Sequence, residues 1–160
     1  MLEIGKINSL RVVKKVDFGI YLDGGQYGDI LMPLRYTPEN CLVGDLVDAF
    51  IYNDSEHRLI ATTEIPLAQV GEFAFLKVVS VDQYGAFLDW GLPKDLLVPF
   101  REQKITMCQG KSYIVAVFLD KATNRIAASS KIEKFLKKEI TDLTDNQMVD
   151  VMIDHETDIG

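Results

Sequence analysis

A shift of 66 residues lays one part of this chain on another, and that internal repeat restricts the fold more than any other feature of the sequence. Asp17-Phe18-Gly19-Ile20-Tyr21-Leu22-Asp23 falls on Gln83-Tyr84-Gly85-Ala86-Phe87-Leu88-Asp89, keeping aromatic, Gly, aliphatic or small, aromatic, Leu and Asp in order. At the same offset Gly5 meets Gly71, Asp29-Ile30-Leu31-Met32-Pro33 meets Asp95-Leu96-Leu97-Val98-Pro99, and Gly44 meets Gly110. One inserted residue then brings Arg58-Leu59-Ile60-Ala61-Thr62 onto Arg125-Ile126-Ala127-Ala128-Ser129. Two copies of one small domain are implied, at residues 1–66 and 67–130.

Within each copy, short runs rich in β-branched and aromatic residues are separated by turn signals, which predicts strands rather than alternating helix and strand. The first copy reads as strands over 4–15, 17–23, 28–33, 46–52 and 57–62, with turns at Asp23-Gly24-Gly25 and Asn53-Asp54-Ser55. The second reads as 70–81, 84–90, 95–99, 112–118 and 125–130. Thr37-Pro38-Glu39-Asn40 leaves room for a short helical turn between strands three and four. Five strands with that interruption are what an OB-type Greek-key barrel uses, so the expected fold is all-β, a tandem of five-stranded OB barrels. A copy this small is near the lower limit for an independent core, and the two barrels are expected to lean on each other.

Ser130 and Glu133 have capping-box spacing, and Ile132, Phe135, Leu136, Ile140 and Leu143 recur at helical intervals. They predict a short helix over 131–141 within a linker of 131–143. Residues 144–160 read as the start of a third copy, Asp158-Ile159-Gly160 matching Asp17-Phe18-Gly19.

The chain carries 17 Lys/Arg against 24 Asp/Glu, a net charge of −7, which argues against coating nucleic acid by bulk electrostatics. The charge is uneven. Residues 1–66 hold six basic and ten acidic side chains, residues 67–131 eight and six, and residues 132–160 three and eight. The middle third is therefore the electrostatically favourable nucleic-acid surface. No apolar run is long enough to span a bilayer, and Met1-Leu2-Glu3-Ile4 has neither the basic start nor the apolar stretch of a signal peptide, so the expected location is cytoplasmic with no membrane partner. Cys41 and Cys108 are too few and too far apart for a disulfide scaffold or a zinc site. His57 and His155 have no ligand partner at metal-binding spacing, and Gly24-Gly25 with Gly28 reads as a hairpin turn, since no Lys-Ser/Thr follows it. No Gly-x-Ser-x-Gly elbow or other catalytic constellation is present. Neither an enzyme nor a cofactor is expected.

The repeated Gly5, Phe18-Gly19-Ile20-Tyr21-Leu22, Ile30-Leu31-Met32-Pro33, Gly44-Asp45 and Arg58-Leu59-Ile60-Ala61-Thr62, with their counterparts, resemble the S1 domain pattern over about four-fifths of the chain. The arrangement, with Met-Pro and Val-Pro closing strand three, is similar to the conserved virulence factor B family of bacterial S1-domain proteins. That resemblance implies several S1 domains followed by a winged-helix domain, RNA binding and a regulatory role. It also implies that Phe18, Tyr21, Tyr84 and Phe87 stack bases, and that Arg58 and Arg125 are the domain's basic contacts. Pro33 and Pro99 depart from the pattern, standing where many S1 domains carry a ligand-touching histidine.

The physical case is independent of the name. Single-stranded RNA exposes base faces, and an outward aromatic ring that stacks on one contributes roughly 1–3 kcal/mol. Strict alternation would put Phe18 and Tyr21 on opposite faces, so a bulge at Gly19 is expected to bring both outward, and Gly85 to do the same for Tyr84 and Phe87. Lys14, Lys15 and Lys77 on the first strands add candidate phosphate contacts. The competing structural readings are that the aromatics fill the barrel cores and that Arg58 and Arg125 form solvated pairs with Asp54 or Asp120. Trp90, opposite Gly24 in the repeat, reads as a packing residue.

The leading functional reading is thus an RNA-binding regulatory protein that holds single-stranded RNA by aromatic stacking and basic phosphate contacts. The alternative is a pair of degenerate S1 barrels serving as a protein-interaction module, and a nuclease subunit is third. RNA target and oligomeric state are left open by the sequence.

Overall fold

The computed structural model describes residues 2–136. Five strands, β1 (Ile7–Val16), β2 (Gly19–Asp23), β3 (Asp29–Pro33), β4 (Leu46–Asn53) and β5 (Leu59–Thr62), form a closed barrel in the order β1-β2-β3-β5-β4. The ladder closes through one parallel rung, Leu31 opposite Ile60. Five more, β6 (Phe73–Asp82), β7 (Gly85–Asp89), β8 (Leu96–Pro99), β9 (Ser112–Asp120) and β10 (Arg125–Ser129), repeat the order as a curled sheet, β10-β9-β6-β7-β8. The fold is all-β, two tandem OB-type barrels.

Alternation sets the inside of each barrel. In β2, Ile20 and Leu22 are buried while Tyr21 points outward, and in β3 Ile30 and Met32 are buried while Leu31 does not. The second copy repeats this with Ala86 and Leu88 in β7 and Leu96 and Val98 in β8.

Three local expectations are corrected. The bulges lie in the first strands, not at the glycines: the β1–β2 register shifts between Val12 and Lys14, and the β6–β7 register between Val78 and Ser80. Gly19 and Gly85 instead begin β2 and β7, with φ of +150° and +147°. A side chain on either would collide with the neighbouring strand, at the carbonyl oxygen of Met32 or Val98. Glycine is required there by close approach of backbones rather than by an extra residue. The helical turn after β3 is a single 3-10 turn at Leu34–Tyr36, ahead of the 37–40 segment. Thr37 is extended, as a residue before proline prefers, and its hydroxyl donates to the carbonyls of Met32 and Pro33. The second copy has the matching turn at Phe100–Glu102.

Both sheets lie in one compact unit, Met1–Ser130. The segment that follows is helical at 133–136, where Phe135 and Leu136 donate backbone N–H groups to the Ile132 carbonyl. The remainder of the expected linker helix and the whole of the expected third repeat lie outside the described residues.

The two barrels share packing. From Phe50 onward both faces of β4 are covered: Ile51 points into the first barrel, whereas Phe50 and Tyr52 join the core of the second with Trp90 and Leu92. Phe50 meets the Trp90 ring edge-on at 5.6 Å and stacks with Tyr52 at 5.9 Å. Trp90 is 2% exposed and donates its indole N–H to the Lys94 carbonyl at 2.6 Å. Polar contacts fix the same seam: Val70 N–H to the Gly5 carbonyl at 2.9 Å, Ile7 N–H to Gln69 Oε1 at 3.0 Å, and Lys94 Nζ to the Asp54 carbonyl at 2.9 Å.

Burial in this seam, with smaller effects from nearby Tyr36 and acidic groups, pushes the Tyr52 phenol up to about 12. The folded state therefore holds Tyr52 neutral where the unfolded chain, with a phenol near 10.0, ionises it. That stabilisation is complete below pH 10 and is lost as pH rises through 10 towards 12. Tyr52→Phe should flatten the fall of the urea midpoint over this range. A parallel decline in variant and parent would contradict this placement of the phenol.

Candidate nucleic-acid interface

Phe18 occupies the tight turn between β1 and β2, and is 57% exposed. Because it precedes the strand, the alternation that separates odd from even positions does not govern it. Tyr21 is on the outer face of β2, and the two rings meet edge-on with centroids 6.3 Å apart. Lys14 is opposite Tyr21 in the β1–β2 ladder and places its ammonium 5.6 Å from the Tyr21 centroid. Lys15 is turned away, donating to the Cys41 carbonyl at 3.0 Å.

In the second barrel Tyr84 takes the turn position and is 63% exposed. Its N–H donates to Asp82 Oδ1 at 2.8 Å, which shapes the turn. Phe87 is outward and half-buried on β7, flanked by Ser80 of β6 and Leu97 of β8. Ser80 is the repeat counterpart of Lys14, so the local cation beside the first aromatic pair is missing beside the second. Lys77 is exposed but faces Asp89 across the ladder, one outward position beyond Phe87.

The two arginines differ. Arg58 is in the turn before β5, with Nε 3.0 Å from Asp54 Oδ2 and a terminal nitrogen 2.8 Å from Glu56 Oε2. Partial burial alone would raise the Asp54 carboxyl, but hydrogen bonds from Arg58 and Glu56 outweigh it and hold it below its ordinary value. Arg58 is thus held in a solvated ion pair with Asp54 and Glu56. Arg125 opens β10, exposed, opposite Asp120 in the ladder, while Asp120 is 4.0 Å from Arg101. Arg125 is also close enough to Lys94 to help lower the Lys94 ammonium, which burial depresses first. Arg58 and Arg125 thus stand at the β4–β5 and β9–β10 turns.

A five-stranded barrel with an aromatic turn, repeated at the same place in a second five-stranded sheet, belongs to the OB class of folds. Residues 4–64, nearly the whole of the first barrel, match the S1 domain family, and the second barrel repeats the strand order and the aromatic turn of the first. The chain is similar to the conserved virulence factor B proteins of bacteria. It is 26% identical to the Staphylococcus saprophyticus protein of that name over 115 residues, 68% of this chain and 38% of that one. It is also 37% identical over 95 residues to the uncharacterized Bacillus subtilis protein YitL, 59% of this chain and 32% of that one. The chain therefore spans about a third of the length of these relatives. A crystal structure from Streptococcus pneumoniae, described as a multidomain protein with nucleic acid binding domains, superimposes with a TM-score of 0.68 at 21% identity, covering 84% of this chain and 48% of that one. That likeness concerns the fold. Among the described residues no helix is long and apolar enough to cross a membrane.

Proposed function

We propose that this chain is an RNA-binding regulatory protein that holds single-stranded RNA on the outer faces of its barrels. The observation that carries the reading is the repeated aromatic turn: Phe18 and Tyr84 are large rings kept at the surface, each followed by a glycine whose backbone packs closely against β3 or β8. Neither ring belongs to a buried cluster, so barrel packing does not account for them. Tyr21 and Phe87 provide the second ring of each platform, and Lys14, Lys77 and Arg125 the basic contacts. Stacking accepts every base because every base has a π-face.

A titration of the full chain with a labelled single-stranded RNA, beside the same sequence as a duplex, tests this. The single strand should bind and the duplex compete poorly; equal binding of both would point to charge alone. Arg125→Ala should lower the slope of log affinity against log salt by about 0.7, the value for one phosphate contact on a single strand. Arg58→Ala should leave the slope nearly unchanged, since Asp54 and Glu56 already neutralise that guanidinium. Equal slopes for Arg125→Ala and parent would remove Arg125 from the contact.

A protein-interaction module is the second reading, favoured by the exposed Leu42, Val43 and Leu46 around the turn that leads into β4. Retention of a protein partner with no RNA affinity would establish it in place of the first.

A further inference from the structure

We propose that Phe100 is a third base-stacking side chain of the second barrel, beside Tyr84 and Phe87. This rests on reading that barrel as a stacking surface. Phe100 is 48% exposed and lies in neither buried cluster. Its place in the ladder puts it next to the aromatic turn: Gly85 is opposite Pro99 on the last rung, so the residues just beyond, Tyr84 and Phe100, flank the same end. The first barrel shows how close that position is, since the N–H of Leu34, the counterpart of Phe100, donates to the Phe18 carbonyl at 2.8 Å. The missing side chain at Gly85 lets the two backbones approach there.

The backbone that carries Phe100 is also fixed. Pro99 precedes Phe100, the Phe100 carbonyl accepts the Gln103 N–H at 3.1 Å, and the buried Gln103 side-chain amide donates to the Val98 carbonyl at 3.1 Å. An exposed ring on an anchored backbone has only its own side-chain torsions to lose when a base stacks on it. Arg101, the next residue, is 70% exposed and holds Asp120 only at 4.0 Å, which leaves its guanidinium able to meet a phosphate adjoining a stacked base. The first barrel has aliphatic Leu34 at this place, so the inference assigns three rings to the second barrel and two to the first.

The test uses the full chain and a labelled single-stranded oligouridylate. Phe100→Ala should weaken binding by roughly five- to 150-fold while keeping the thermal transition of the parent. Phe100→Leu, which installs the side chain that the first barrel carries, should lose most of the same affinity, and Phe100→Trp should retain it. Full affinity in Phe100→Ala, with a loss on replacing Tyr84 and Phe87, would overturn the inference and leave the wider function standing. Retained affinity in Phe100→Leu would overturn it too, since an apolar contact would then suffice. No loss from Tyr84 and Phe87 either would overturn the stacking reading itself.

Discussion

Replacing Tyr84 and Phe87 together by Ala should weaken single-stranded RNA binding by about thirty-fold or more, because two stacked rings at the lower end of their range contribute roughly 2 kcal/mol. Tyr84 is in a solvent-exposed turn, and Phe87 is on the outer face of β7, outside the buried cluster. The double variant should therefore unfold at close to the parent's denaturant midpoint. Binding and folding are measured on one preparation, by anisotropy and by urea titration. A folded variant with undiminished affinity would show that these rings contribute nothing to binding; a lost transition would show that they are structural.

The largest effect on stability is expected at the seam. Trp90→Ala removes a buried indole that touches Phe50 and satisfies the Lys94 carbonyl, and a cavity of this kind costs about 3–5 kcal/mol. Against a typical domain stability of roughly 5–15 kcal/mol, that is a large fraction. Since Phe50 and Tyr52 come from the first barrel, the loss should be felt by both sheets in one transition. The same packing means that a truncation after the first barrel would uncover Phe50 and Tyr52, so the barrels are better compared by substitution within the whole chain than as separate pieces. Trp90 is the only tryptophan, and its emission should be that of a buried indole until the seam opens. A destabilisation below about 1 kcal/mol would contradict the shared core.

Most of the fold was legible because a doubled pattern removes the ambiguity of a short apolar run. The predicted strand at 46–52 is Leu46–Asn53, and that at 125–130 is Arg125–Ser129. The first strand starts three residues later than expected, since Asn8 bonds the carbonyls of Glu3 and Lys6 and holds the preceding segment as a turn. The bulge was misplaced because glycine suggests one, whereas Val12-Val13-Lys14 carries no such signal; the extra residue there is β-branched and exposed. The seam had a signal that strict alternation obscured. Ala49-Phe50-Ile51-Tyr52 is an unbroken apolar run, the mark of a strand covered on both faces.

Of the candidate interface, the repeat singled out the four aromatics, and the structure places Phe18 and Tyr84 at the surface with Tyr21 and Phe87 half-buried beside them. Charge was harder to read. The overall balance favoured the second barrel, yet it is Lys14 in the first whose ammonium lies over one of these four rings, because cross-strand register rather than composition decides which side chains meet. Phe100 escaped notice since its counterpart is Leu34, and a comparison that rewards likeness passes over a position where the copies differ.

Photo-crosslinking of a uridine-rich single-stranded RNA to the full chain, followed by mapping of the modified peptides, tests the stacking account most directly. Adducts should concentrate on the peptides carrying Tyr84 and Phe87 and on those carrying Phe18 and Tyr21, two exposed turn rings and the half-buried outward rings that follow them. Adducts confined to the Leu42-Val43 loop or to the acidic segment beyond Ser130, with none on the aromatic turns, would contradict it.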